Sequence, residues 1–161
     1  MTRVGFGFDL HPLVEGRPLV LGGVTVPSPV GLDGHSDADV LSHAVAEALL
    51  GALALGDLGR HFPDTDPRYR GASSLTLLRE ALALVTSHGG RLVNVDATVL
   101  AQAPRLGPLL PEMAKRLADA LGIDSDRVSV KAKSPEGLGL VGRHEGIAAM
   151  AVVAVEVAGG R

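Results

Sequence analysis

One stretch constrains this chain more than any other: Gly34 to Asp66, reading GHSDADVLSHAVAEALLGALALGDLGRHFPDTD. Its residues Leu41, Ala44, Val45, Ala48, Leu49, Ala52 and Leu53 recur at the spacing of a single buried helical stripe. Histidine and acidic side chains crowd the start of that helix, so any fold must place a polar cluster beside a tightly packed element. Ser36, with Asp39 three residues on, reads as a capping box with the shorter acid, which predicts a helix beginning near Asp37. His43 then lies on the second turn, and Glu47 one turn further along the same face. Polar groups at a helix N-terminus, beside unpaired backbone N–H groups, suit an anion or a metal with phosphate. A cap followed by an ordinary surface histidine satisfies the same pattern.

Close packing around such a helix needs small side chains, and the chain supplies them. Hydrophobic residues make up 46% of 161, yet aromatic residues only 2%, so Ala, Val and Leu must build the core of one domain, residues 1–161. A net charge of −3 and only three Phe and one Tyr give neither a field for a phosphate backbone nor a surface for base stacking, so no nucleic-acid partner is expected. The absence of cysteine excludes disulfides and thiolate chemistry; any zinc must be held by histidine and carboxylate. There is no charged-then-apolar leader and no apolar run near the roughly twenty residues a bilayer requires, so a cytoplasmic protein without a membrane partner is expected.

Residues 3–9, RVGFGFD, alternate Val4, Phe6 and Phe8 with Gly5, Gly7 and Asp9, a strand whose glycine face lets another element approach closely. Asp9 and His11, two apart in extended chain, point the same way. Arg17–Leu21 and Val24–Pro27 flank Gly22-Gly23 as a hairpin, and Pro27, Pro29, Gly31 and Gly34 mark a loop. Ser73 or Ser74 caps a helix ended by Gly89-Gly90, with His88 at its C-terminal dipole. A strand over Arg91–Gln102, a helix over Pro108–Leu121, a strand over Arg127–Lys133 and a valine-rich strand over Gly146–Val157 follow. The fold class expected is α+β: two layers, a mixed four-stranded sheet with about three helices on one face, plus a small hairpin. These strands are apolar or small on both sides, so a partner subunit should cover the second sheet face.

Asp9, His11 and His43 form a set of two imidazoles and a carboxylate that would leave a fourth tetrahedral position of a zinc ion open. Hydrogen-bonded loop groups would look the same in sequence. Glu136, in the loop KAKSPEGLG, suits a hydrated Mg²⁺ or Mn²⁺ completed by substrate phosphates, or simply faces water. Gly137, Gly139 and Gly142 satisfy a dinucleotide fingerprint formally, but no acidic ribose partner can follow at the required distance and the next segment reads as strand, which rules it out.

Taken together, FDLHPL at 8–13, LDGHSDADVLSHA at 32–44, GDLGRHFPDTDP at 56–67, AQAP at 101–104 and EGLGLVGR at 136–143 resemble the 2-C-methyl-D-erythritol 2,4-cyclodiphosphate synthases, in the family's order along nearly the whole chain. The resemblance implies a lyase of the non-mevalonate isoprenoid pathway that turns 4-diphosphocytidyl-2-C-methyl-D-erythritol 2-phosphate into the cyclic diphosphate and CMP. It implies a homotrimer with active sites between subunits. It matches Asp9, His11 and His43 to zinc ligands, and Glu136 to the ligand of a second divalent ion, Mg²⁺ or Mn²⁺, shared with the substrate diphosphate. His35 and Ser134 match catalytic positions and Ser36 a phosphate contact. Asp57, Leu58, Gly59, Phe62, Pro63, Asp64, Thr65 and Asp66 match the surface for the methylerythritol part. Ala101, Gln102, Ala103, Pro104, Arg105, Leu106, Gly107 and Lys133 match the cytidine diphosphate site of the neighbouring chain. Leu140 and Arg143 also fall at ligand positions, Arg143 at one that implies an isoprenoid diphosphate in a central cavity. The chain departs from the family pattern in carrying Arg105 for lysine, Pro135 for threonine or asparagine, Leu140 for phenylalanine and Met150 for an acid.

Two readings compete with the cyclase. A zinc hydrolase would use the same triad to activate water, and a trimeric binding module would hold metal or nucleotide without turnover.

Overall fold

The computed structural model describes residues 1–158. In chain order the elements are β1 (Thr2–Glu15), β2 (Leu19–Leu21), β3 (Val24–Val26), β4 (Val30–Leu32), α1 (Val40–Ala52), α2 (Leu58–His61), α3 (Ser74–Ser87), β5 (Gly90–Leu100), α4 (Leu110–Leu121), β6 (Val128–Lys133), α5 (Gly139–Gly142) and β7 (Gly146–Val157). The main sheet has the order β4-β1-β7-β5-β6, with β5 and β6 parallel and the other neighbours antiparallel; β2 and β3 form a separate hairpin. The expected α+β class with a mixed sheet and a small hairpin is therefore present. The sheet has five strands rather than four.

The additional strand is β4, which extends the end of β1 through Leu13↔Leu32, Val14↔Gly31 and Glu15↔Val30. Three residues between Pro29 and Gly34 carry too little periodicity to read as strand. Gly31 is required there, because a Cβ would collide with the backbone carbonyls of Arg17 and Pro18. The first strand also runs past residue 9 to Glu15. Pro12 is tolerated because the strand changes partner at that point: Leu13 N–H donates to Glu145 O, and pairing passes from β7 to β4.

Helix α1 begins at Val40, not near Asp37, and its N-cap is Asp39, not Ser36. Ala38 adopts φ 55, a left-handed conformation that interrupts the helical path before Asp39. The Asp39 carboxylate is fully buried and accepts from Ser42 N, Ser42 Oγ, Gly22 N and Gly23 N, which pins the β2–β3 turn to the start of α1. Gly22 and Gly23 both have positive φ, as a two-residue hairpin turn demands.

The core lies between α1, α3, α4 and the inner sheet face, and is built almost wholly from Ala, Val and Leu. On the opposite face of β1, Val4, Phe6 and Phe8 are 67%, 61% and 53% exposed, with Val152 of β7 beside Phe6. Gly142 packs directly on Gly137, so the glycine run forms a compact turn before β7 and no βαβ phosphate loop. His88 Nδ1 meets Leu84 O at 2.8 Å at the end of α3, as its position predicts. Among the described residues no helix is long and apolar enough to cross a membrane.

Candidate metal and ligand site

Alternation along β1 puts Gly5, Gly7, Asp9 and His11 on the face that meets α1. Cβ atoms at Gly5 and Gly7 would strike the carbonyl oxygens of Ala48 and Ala44, so the helix rests on bare backbone. This approach brings His43 down beside the two polar residues that continue the glycine face. Asp9 Oδ2 lies 2.9 Å from His11 Nε2 and 2.9 Å from His43 Nδ1, and the two ring nitrogens are 3.3 Å apart. The three expected ligands thus converge from one strand and one helix, and His43 is buried rather than on a surface flank.

The outer nitrogens decide what the inner ones can do. His11 Nδ1 lies 2.7 Å from the Asp33 carbonyl oxygen, which only accepts, so Nδ1 carries the proton and Nε2 turns a lone pair inward. His43 Nε2 faces the hydroxyls of Ser74 at 2.8 Å and Ser36 at 3.2 Å. Lone pairs from two imidazoles and a carboxylate at such separations repel unless a cation or a proton lies among them. The donor set, its spacing and the hydrogen bonds behind it fit a divalent zinc-like ion with a position left open toward the cavity. Without a metal, a proton takes that place. Burial alone would raise the Asp9 carboxyl, but the hydrogen bonds and charge of His11 and His43 hold it well below the carboxylate range. Burial alone would lower His11, but its hydrogen bond to Asp9 and the charge of Asp9, reinforced by Asp33, push it up.

The triad opens into a cavity of about 560 Å³. Of the residues expected here, His35, Ser36, Leu58, Gly59, Phe62, Pro63 and Asp64 line it; Asp57, Thr65 and Asp66 do not. Asp57 instead caps α2 through Arg60 N, and the Asp66 carboxylate binds Arg68, whose hydrogen bond and charge hold it below the usual range. The Asp66 carbonyl accepts from His35 Nε2 at 2.9 Å, which fixes that ring and leaves Nδ1 for a ligand. Glu47 also lines the cavity and accepts from Leu58 N at 2.7 Å, tying the α2 wall to α1.

Sequence reasoning missed Arg17. Its guanidinium donates to Gly34 O and to Ser36 O, each at 2.8 Å, and so straddles His35. It also missed the pairing of Asp37 with Ser74 behind His43. In both cases the polar residue has an adequate local reading, and only the fold supplies the distant partner.

A second cavity, of about 330 Å³, is lined by Ala101, Gln102, Pro104, Arg105, Leu106, Ala132, Lys133 and Ser134; Ala103 and Gly107 do not line it. Gln102 Oε1 accepts from Gly137 N at 2.9 Å, joining the two loops that frame it. Glu136 is exposed at φ 55, with its N–H on Ser134 Oγ, and does not line the first cavity. Leu140 and Arg143 are exposed, and Arg143 is paired with Glu145 at 2.6 Å. Asp9 pairs across the sheet with Ala149, Ala149 with Val99, and Val99 with Ala132. Asp9, on the first cavity, and Ala132, on the second, therefore lie at the same end of the sheet with their backbones three strand spacings, roughly 14 Å, apart.

A family model described as the YgbB family matches residues 2–156. The chain is 62% identical over 150 residues to the 2-C-methyl-D-erythritol 2,4-cyclodiphosphate synthase of Bordetella avium, covering 93% of each chain. Among solved structures it resembles a 2C-methyl-D-erythritol-2,4-cyclodiphosphate synthase in its CDP-bound form, with TM-score 0.88 and 42% identity over 96% of this chain and 100% of that one. It also resembles the bifunctional IspDF of Campylobacter jejuni, with TM-score 0.94 and 41% identity over 98% of this chain and 43% of that longer one.

Proposed function

The chain belongs to the YgbB family, and from that premise we propose that it is the cyclase its relatives are named for, a phosphorus–oxygen lyase. It converts 4-diphosphocytidyl-2-C-methyl-D-erythritol 2-phosphate to 2-C-methyl-D-erythritol 2,4-cyclodiphosphate and CMP. An oxygen of the 2-phosphate attacks the β-phosphorus of the same molecule, the bond from that phosphorus to the bridging oxygen breaks, and CMP departs with the electron pair. Both reacting groups belong to one substrate, so positioning supplies much of the acceleration and the protein needs no nucleophile of its own.

Asp9, His11 and His43 would hold zinc, and Glu136 a second divalent ion, Mg²⁺ or Mn²⁺. When bound, these cations screen the repulsion between the two phosphate groups and neutralise charge on the leaving CMP. His35 and Ser36 border the first cavity, where they orient phosphate oxygens, while Leu58, Gly59, Phe62, Pro63 and Asp64 wall the methylerythritol part; Asp57 supports that wall by capping α2 and Asp66 by holding the His35 ring. In the second cavity Arg105 and Lys133 bring cationic side chains suited to the cytidine diphosphate, and Ser134 a hydroxyl for the transition state. Ala101, Gln102, Pro104 and Leu106 complete that surface, while Ala103, Gly107 and Leu140, which do not line the cavity, would reach the nucleotide only from the adjoining segments.

A chain with metal ligands in one cavity and nucleotide-binding groups in another is best completed by a neighbour, in a homotrimer whose contacts cover Val4, Phe6 and Phe8. Arg143 would face the central cavity of that trimer, where an isoprenoid diphosphate is the candidate ligand. We infer a cytoplasmic activity, where a soluble nucleotide-linked substrate would be met.

The observation that carries this reading is the convergence of Asp9, His11 and His43 at the mouth of a cavity bordered by His35 and Ser36. Incubation with the substrate and Mg²⁺ or Mn²⁺, followed by ³¹P NMR, tests it. The expected products are CMP and a cyclic diphosphate. A free phosphomonoester would mean hydrolysis, and CDP binding without turnover would mean a binding module; either result overturns the reading.

A further inference from the structure

Of the two imidazoles in the triad, His11 has its outer nitrogen held by a backbone carbonyl, whereas His43 depends on side chains. The nearer is Ser74, 1% exposed, whose hydroxyl lies 2.8 Å from His43 Nε2. The residue opens α3, but its side chain caps nothing there. The hydroxyl bonds Asp37 Oδ1 instead, and Ser74 N–H donates to Asp37 Oδ2 at 3.1 Å. Asp39 N–H holds Asp37 Oδ1 from the other side at 3.1 Å.

The direction of this chain of hydrogen bonds is forced. An ionised carboxylate only accepts, so Ser74 gives its single proton to Asp37 and offers a lone pair to His43. His43 must then carry a proton on Nε2, so that the neutral ring, the form that can ligate a metal, presents its Nδ1 lone pair toward Asp9 and His11. Ser36 cannot impose this. It is further away, it already accepts Ala38 N–H at 3.2 Å, and its own proton is free to turn toward His43 Nε2, which would select the opposite tautomer.

We propose that Ser74, backed by Asp37, is the positioning residue that fixes His43 in its metal-ligating tautomer and passes the carboxylate's charge to it. The proposal rests on the metal-site reading above. It gives the first residue of α3 a role in cation affinity, and it frees Ser36 to turn toward a phosphate without releasing the imidazole.

The test uses the whole chain, with Zn²⁺ and Co²⁺ as the only ligands added. Affinity is measured by chelator competition in wild type, Ser74→Ala and Asp37→Asn, with the His43 tautomer read by ¹⁵N NMR in the metal-free state and the ligand field read from the visible spectrum with Co²⁺. Ser74→Ala should weaken zinc by about 10–100-fold, lose the single Nε2–H signature and alter the Co²⁺ spectrum, with Asp37→Asn shifted the same way by less. Should Ser74→Ala not fold, Asp37→Asn decides alone. Zinc affinity within about twofold of wild type, with an unchanged tautomer, overturns the proposal. His43→Ala separates the two levels: if it binds zinc as wild type does, the ligand set itself is wrong, whereas loss of zinc there with none in the Ser74 and Asp37 variants sinks only the positioning role.

Discussion

Gly7 and Ala44 meet backbone to backbone: a Cβ at position 7 would strike the Ala44 carbonyl oxygen and lie 2.7 Å from Ala48 N. Ala44 follows His43 and Gly7 precedes Asp9 by two, so the same contact that seats the helix sets the distance between metal ligands on different elements. Gly5 repeats the contact one helical turn along, against Ala48 and Ala52.

Gly7→Ala should therefore damage stability and metal binding together. The obstacle is main chain, so α1 must move, at a cost of about 1–3 kcal/mol or more by analogy with overpacked cores. His43 moves with it. Gly51, exposed in the same helix with only Phe6 O at 3.7 Å from its Cβ position, is the control; Gly51→Ala should stabilise by about 0.5–1 kcal/mol through helix propensity. Denaturant unfolding and zinc titration of both variants check this. A Gly7→Ala protein with wild-type stability and zinc affinity would show that the helix is not held by this contact.

Proton and metal compete for one place. His11 is raised in the folded state, so in the metal-free protein its contribution is fully present below its unfolded value of 6.5 and is lost as pH rises through the higher folded value. Asp9 is lowered, so its contribution is present above its unfolded value of 3.8 and lost only as pH falls through the depressed one. The triad should stabilise the metal-free protein most between those two unfolded values. Zinc binding must displace the His11 proton, so affinity should fall as pH drops below the raised His11 value. Calorimetry in buffers of different ionisation enthalpy should report proton release; a binding enthalpy independent of buffer would refute the assignment.

Much of this was legible before any coordinates. Asp9 and His11 share a strand face by simple alternation, and Gly5 and Gly7 announce a close approach, although only the fold identifies α1 as what approaches. The capping box failed because it required Ser36 and Asp39 to be three residues apart within a helix, whereas Ala38 leaves helical space at φ 55, a conformation an alanine does not advertise. Strand β4 was hidden by its length. Either Ser73 or Ser74 suits a cap, and Ser73 takes that position; local partners explain a serine at a helix start, and no sequence pattern points Ser74 to a histidine on another helix.

Arg17 should matter to catalysis and little to zinc. Its fork holds the carbonyls on either side of His35, and the side chain is 31% exposed, so its loss should loosen the loop without opening the core. For Arg17→Ala we expect kcat to fall about tenfold, the scale of a slightly misplaced positioning group, with zinc stoichiometry unchanged. Arg17→Lys should recover little, since a point charge cannot span both carbonyls. Wild-type kcat in the alanine variant would remove Arg17 from the site.

The two cavities predict how defective chains should behave in mixtures. If each active site joins the triad of one protomer to the Ser134–Glu136 loop of the next, then His43→Ala and Glu136→Ala damage different halves of a shared site. Either variant alone should be nearly inactive. Mixed at equal amounts under conditions that exchange subunits, they should form sites in which a sound triad meets a sound loop about a quarter of the time, with activity recovering to roughly that fraction of wild type. A charged substitution on the exposed face, Phe6→Glu, should abolish the recovery and yield a folded monomer in sedimentation, because the residue is 61% exposed in the protomer and its burial would come only from a neighbour. If the mixture stays inactive although subunits have exchanged, both halves of the site must lie within one chain, and the substrate would have to bridge the three strand spacings, roughly 14 Å, between Asp9 and Ala132.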